Sequence, residues 1–170
     1  MNIVLIGYRG TGKSVVGKIL AQRLNMTYVG MDAEIVRSAG MPIPRIVENL
    51  GWPGFRDIET QVVLDLAARD NQIIDTGGGV IERPENIPAL QKNGWICWLK
   101  ASVATIVSRI QGDDQRPALT DGKTFTEEVA EVLEQRRAKY QTAAQHEIDT
   151  DALTPEEVAA KITQEFQNQQ

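Results

Sequence analysis

Cysteine and histidine each occur once in this sequence, as Cys97 and His146. A zinc centre needs several such ligands, so a structural or catalytic zinc site is not expected. Cys97 lies in the apolar run Trp95-Ile96-Cys97-Trp98-Leu99 with no partner base nearby, where a free thiol serves as a small hydrophobe. Basic residues are in deficit: the formal net charge is -5, and a nonspecific nucleic-acid binder needs clustered Lys and Arg to replace phosphate counterions. No apolar run approaches the roughly 18 residues that span a bilayer. Met1-Asn2 leads straight into Ile3-Val4-Leu5-Ile6 without a basic region before a cleavable segment, so a soluble, cytoplasmic protein is expected, with neither nucleic acid nor membrane as partner. Internal repeats and low-complexity stretches are also missing.

What is present is a chain of 170 residues, 42% hydrophobic and 24% charged, enough for one domain with a real core and too short for two. Short apolar runs bounded by Gly, Asp or Asn predict strands over 2–6, 27–29, 72–75, 95–99 and 147–150. Helical spacing is read behind the first strand at Val15, Val16, Ile19, Leu20 and Leu24, then over 55–69, 102–110, 125–144 and 154–166. The last opens with Thr154-Pro155-Glu156-Glu157, a capping box with Pro in the first turn. Strands separated by helices imply right-handed crossovers and a parallel sheet covered on both faces, a three-layer α/β/α domain. A helical, Gly- and Pro-punctuated insertion at about 32–60 and a polar stretch at about 111–124 interrupt this scheme, as candidate acceptor site and lid.

The sharpest motif is Gly7-Tyr8-Arg9-Gly10-Thr11-Gly12-Lys13-Ser14, which satisfies G-x-x-x-x-G-K-S/T between a strand and a helix. Its glycines let successive N–H groups turn inward around a phosphate, and the helix after Gly12 offers its positive end. Lys13 is suited to the β- and γ-phosphates and the Ser14 hydroxyl to Mg²⁺. The ATP site is expected to comprise Gly10, Thr11, Gly12, Lys13, Ser14 and Val15. Further candidates follow the strands: Asp32-Ala33-Glu34 after the second, Asp75-Thr76-Gly77-Gly78-Gly79 after the third, Phe55-Arg56-Asp57-Ile58-Glu59 opening a helix, and Arg136 one turn before Tyr140. Loops after neighbouring parallel strands open at the same carboxyl edge, where these residues can converge.

In this combination and order the chain resembles the shikimate kinase family over essentially its whole length. The features are the phosphate loop, the acidic pair, an F-R-x-x-E segment, the G-G-G loop, the Arg116-Pro117 pair of the lid and an R-x-x-x-Y helix. The resemblance implies a P-loop kinase with strand order 2-3-1-4-5, Mg²⁺ as cofactor, and ATP-dependent phosphorylation of the shikimate 3-hydroxyl on the way to chorismate. It assigns Arg56 and Arg136 to the shikimate carboxylate, Asp32 and Glu34 to the acceptor, and Gly78 and Gly79 to backbone contact with it. Arg116 is assigned to the phosphates and Arg109 to adenine. Lys13, Asp32 and Arg116 are the expected catalytic residues and Ser14 and Asp32 the metal ligands, in a monomer.

The chain departs from the family pattern in four places, one being Ile46-Val47 and Gly51-Trp52 where I-F before a G-E pair is common, so that the apolar wall of the acceptor pocket is rebuilt. In the other three, Asp32-Ala33-Glu34 stands for the usual D-x-D, Asp75 ends the third strand where a small residue is frequent, and Arg136-Arg137-Ala138-Lys139-Tyr140 replaces R-x-P-L-Y. Asp75 is expected to support Mg²⁺ through water. Either Asp32 or Glu34 assists deprotonation of the acceptor, and Arg137 is the alternative to Arg136. The rival functions are another P-loop small-molecule or nucleoside monophosphate kinase, and a noncatalytic nucleotide-binding regulatory protein.

Overall fold

Ile3, Val4, Leu5 and Ile6 are completely shielded from solvent, as expected of a strand at the centre of a sheet covered on both faces. In the computed structural model, which describes residues 1–111, 119 and 122–169, they form β1 (Asn2–Ile6). The other strands are β2 (Thr27–Gly30), β3 (Gln72–Asp75), β4 (Gly94–Lys100) and β5 (His146–Asp149), all parallel in the order β2-β3-β1-β4-β5. The expected order is therefore found, with no strand end displaced by more than one residue from the sequence reading.

Helices α1 (Lys13–Leu24), α2 (Met31–Ala39), α3 (Ile43–Ala67), α4 (Asn86–Gln91), α5 (Val103–Ile110), α6 (Phe125–Ala143) and α7 (Pro155–Gln167) flank the sheet. Alternation along β1 separates two cores. Val4 and Ile6 face Met31, Ile35, Phe55, Leu66, Leu90 and Tyr140, whereas Ile3 and Leu5 face Val16, Leu20, Val158, Ile162 and Phe166. The capping box at α7 forms as read: Thr154 accepts from the Glu157 amide, and Glu157 accepts from the Thr154 amide at 2.7 Å.

Three helical features differ from the sequence reading. α2 begins at Met31, directly after β2, so the acidic pair lies in its first turn rather than in a loop. α3 begins at Ile43 and is broken at Gly51, whose φ of 68° lies in the left-handed region that favours glycine. Pro53 lies just beyond that break, near the start of the second helical segment, where a missing N–H costs little. α4 carries Pro88 at its third residue, again in the first turn, which masks so short a helix in the sequence.

From β1 the chain first builds β2 and β3 on one side, then crosses to β4 and β5 on the other. The loop after β1 thus lies where the strand order reverses, the position at which open α/β sheets bind ligands.

Candidate active site

The loop from Gly7 to Gly12 is shaped by positive φ angles at Gly7 (141°), Gly10 (80°) and Gly12 (95°). A Cβ at Gly7 would collide with the Leu99 carbonyl, so this glycine is required by packing as well as by conformation. Thr11 Oγ1 donates to the Tyr8 carbonyl at 2.9 Å. The buried Lys13 ammonium donates to the Gly7 and Tyr8 carbonyls at 2.8 and 3.0 Å, bridging the mouth of the loop. Ser14 Oγ donates to Asp75 Oδ2 at 2.5 Å, joining the start of α1 to the end of β3.

A cleft of about 470 Å³ runs along this loop, lined by Gly10, Gly12, Lys13, Ser14, Val15, Asp32, Asp75 and Gly78 among others. Oxygen donors and a buried ammonium on one wall suit a hard divalent cation carried with a polyphosphate. Beyond Thr11 and Gly12 lies a largely apolar recess of about 340 Å³, walled by Val15, Arg109, Thr150, Leu153 and Pro155. Arg109 Nη1 donates to the Gly10 carbonyl at 3.0 Å, which fixes the guanidinium over the loop at the edge of this recess. Thr150, Leu153 and Pro155 escape sequence reasoning because they look like ordinary β5–α7 linker residues.

On the other side of Gly78 a narrow pocket is lined by Tyr8, Arg9, Trp52, Arg56, Gly78, Gly79, Leu119 and Arg136. Arg56 and Arg136 therefore meet, although they come from different helices. Arg56 Nη1 donates to Glu59 Oε2 at 2.7 Å, and its guanidinium lies 5.4 Å from the Trp52 ring centre and 5.2 Å from that of Phe55. A Cβ on Gly79 would collide with that guanidinium. Arg136 Nε donates to Glu82 Oε1 at 2.7 Å, and Lys139 Nζ donates to the other Glu82 oxygen at 2.6 Å. Each arginine is thus oriented by a carboxylate behind it, which leaves guanidinium N–H groups for a planar anion. Tyr140, stacked on Trp98 with ring centres 5.5 Å apart, donates its hydroxyl to the Gly78 carbonyl and holds the wall from behind.

Two expectations about the acidic pair diverge. Asp32 lines the phosphate cleft, but Glu34 lines neither this cleft nor the arginine pocket and pairs with Arg37 at 2.6 Å. The two carboxylates part because two residues' advance in a helix turns a side chain by about 200°. Of the two neighbouring arginines, Arg136 lines the pocket, whereas Arg137 pairs with Glu134 and lines a separate groove. Arg116 and most of the expected lid lie outside the described residues. Arg9, which was not singled out from sequence, lines both the cleft and the pocket, and its buried Nη1 makes no hydrogen bond among the described residues.

Residues 9–167 match the family model described as shikimate kinase. The chain belongs to the shikimate kinase family. It is 42% identical to a shikimate kinase of Thermodesulfovibrio yellowstonii over 98% of this chain and 95% of the relative. It is 39% identical to one from Caldicellulosiruptor bescii, over 95% of this chain and 92% of that one. A solved shikimate kinase from Acinetobacter baumannii in complex with shikimate superposes with a TM-score of 0.94 at 32% identity, covering 99% of this chain and 94% of that one.

Within this member of the family, Glu82 has an electrostatic role. Burial pushes its carboxyl up, but the hydrogen bonds from Lys139 and Arg136 outweigh that and hold it below the ordinary carboxylate range. A lowered folded value means that Glu82 adds stability above the unfolded value, and that this is lost as pH falls through the folded one. Glu82→Gln is therefore expected to melt below the parent at neutral pH, with the difference closing below about pH 4. Thermal denaturation across pH checks it, and a gap that persists in acid would remove Glu82 as the titrating group.

Proposed function

We infer that this chain transfers the γ-phosphoryl group of ATP to the 3-hydroxyl of shikimate, giving ADP and shikimate 3-phosphate in the route to chorismate and the aromatic amino acids. The observation that carries this is a pocket with two carboxylate-held guanidiniums, Arg56 and Arg136, separated from the phosphate cleft by Gly78. Family membership supplies the acceptor: shikimate bears one carboxylate, which a pair of arginines grips in a planar, bidentate manner, leaving its hydroxyls toward the cleft.

The residues divide the work as follows. Gly10, Thr11, Gly12 and Val15 cradle the nucleotide phosphates through the loop, and Arg109 covers adenine in the apolar recess. Lys13 neutralises charge growing on the transferring phosphoryl, an interaction that strengthens in the transition state. Asp32, which borders the cleft, accepts the proton of the attacking hydroxyl. Arg56, Arg136, Gly78 and Gly79 fix the acceptor so that this hydroxyl meets the phosphoryl in line. Arg116, in the segment beyond the described residues, completes the charge around the phosphates in this scheme.

Mg²⁺ fits the donors present: the Ser14 hydroxyl with the Asp32 and Asp75 carboxylates, all hard oxygens on the cleft wall. When bound it neutralises the β- and γ-phosphates and orients them. The domain is taken to act as a cytoplasmic monomer; no helix among the described residues is long and apolar enough to cross a membrane.

A coupled ADP-release assay over shikimate, gluconate and nucleoside monophosphates, with products identified by mass spectrometry, tests this reading. ADP release dependent on shikimate, with a singly phosphorylated product, is expected. Turnover of gluconate or a nucleotide instead would make the chain a different small-molecule kinase, and ADP release with no acceptor dependence would make it a nucleotide-binding protein.

A further inference from the structure

Asp75 Oδ2 accepts two hydroxyls, Ser14 Oγ at 2.5 Å and Tyr28 Oη at 2.8 Å. The first belongs to the phosphate loop. The second has no part in the reaction described above, yet it comes from the neighbouring strand, and Tyr28 lines the nucleotide cleft together with Ser14 and Asp75.

The space around the tyrosine is specifically cleared. A Cβ on Gly17 of α1 would lie 2.9 Å from Tyr28 Cε2, closer than real side chains approach, and one on Gly30 would lie 3.4 Å from the Tyr28 hydroxyl. Gly30 is also the register partner of Asp75, so the residue beside this carboxylate in the sheet has no side chain of its own. Lys18 Nζ lies 5.7 Å from the ring centre and closes the outer face. The absence of a side chain at Gly17 thus leaves room for the ring against α1, with its hydroxyl on Asp75.

We propose that Tyr28 is a positioning residue for the metal-associated carboxylate, fixing Asp75 at the cation edge of the nucleotide cleft. The inference rests on the reading of Ser14 and Asp75 as the Mg²⁺ side of the site. Tyr28 and Ser14 donate to the same oxygen, which sets the rotation of the carboxylate and leaves Oδ1 without a hydrogen bond among the described residues. Ser14 spends its only proton on Asp75, so its lone pairs face elsewhere, as a cation-binding hydroxyl requires. Partners of this kind, behind the groups that touch a metal, fix ligand geometry and tune affinity.

Tyr28→Phe keeps the ring against Gly17 and Gly30 and removes only the donor. Mn²⁺ binding to the protein–ADP complex, followed by electron paramagnetic resonance, is expected to weaken roughly tenfold in this variant. ADP binding without metal, shikimate binding and the melting temperature are expected to stay near the parent's. In a double-mutant cycle, Tyr28→Phe should add nothing further to Asp75→Asn, because it acts through that carboxylate. Unchanged Mn²⁺ affinity in Tyr28→Phe while Asp75→Asn weakens it would overturn the positioning role alone, as would additive losses in the double variant. Unchanged Mn²⁺ affinity in Asp75→Asn would instead remove the underlying metal assignment, and the proposal with it. If Tyr28→Phe fails to fold, Gly17→Ala brings a Cβ within 2.9 Å of Tyr28 Cε2 and must shift the ring, and unaltered Mn²⁺ affinity there is the overturning result.

Discussion

Arg56→Met is expected to raise the shikimate KM about a hundredfold and to lower the melting temperature by several degrees, two effects with separate causes. The first follows from losing half of the guanidinium pair, since a truncated partner in a buried, charge-assisted contact costs about 2–5 kcal/mol. The second follows from Glu59, which is fully buried and has the Arg56 guanidinium 2.7 Å away. Breaking such a pair from one side costs about 3–5 kcal/mol in stability. Arg56→Lys retains the charge but not the fork, so it should recover part of the stability and little of the acceptor affinity. Steady-state kinetics with shikimate varied, beside thermal melts, separate the two. A lowered melting point with unchanged KM would reduce Arg56 to a structural ion-pair partner.

Lys13→Met is expected to lower kcat by about a thousandfold, the scale on which removal of one preorganised donor to a developing charge is felt. Its ammonium also ties the Gly7 and Tyr8 carbonyls together, so nucleotide affinity should fall alongside turnover as the loop loses its bridge. Shikimate affinity, resting on the other pocket, should change little. Single-turnover kinetics and equilibrium ADP binding provide the two readouts. A variant with normal kcat and weak ADP binding would show that Lys13 shapes the loop without acting on the transferred group.

The nucleotide side was legible in the sequence because its parts are contiguous. One run of eight residues, Gly7 to Ser14, sets turn, charge and metal hydroxyl, and every one of those demands is local. The parallel sheet was legible for a similar reason: β1 is wholly apolar but for Asn2, and strands such as Gln72–Asp75 stand out between polar turns. The acceptor pocket was legible only through family resemblance. No spacing rule brings Arg56 to Arg136, because one lies on α3 and the other on α6, 80 positions along the chain, and only the packed fold sets them in one pocket.

The direction in which Glu34 leaves the chain was not legible in the sequence, for a definite reason. In extended chain, residues two apart share a face, whereas in a helix they point to nearly opposite sides. The change from β2 to α2 between Gly30 and Met31 decides which rule holds, and no glycine–proline break or capping side chain marks that junction. Arg9 and Tyr28 escaped notice for another reason: inside a consensus motif or a strand, a variable position reads as filler until its neighbours in space are known.

Gly78 borders both the phosphate cleft and the arginine pocket, with its carbonyl fastened by Tyr140. The wall shared by the donor and acceptor compartments is thus made by Gly78, which carries no side chain, and by Arg9, which does. A tethered bisubstrate inhibitor, with an adenosine polyphosphate joined to a carboxylate-bearing ring, can cross on the Gly78 side of this wall and set its anionic linker against the Arg9 guanidinium.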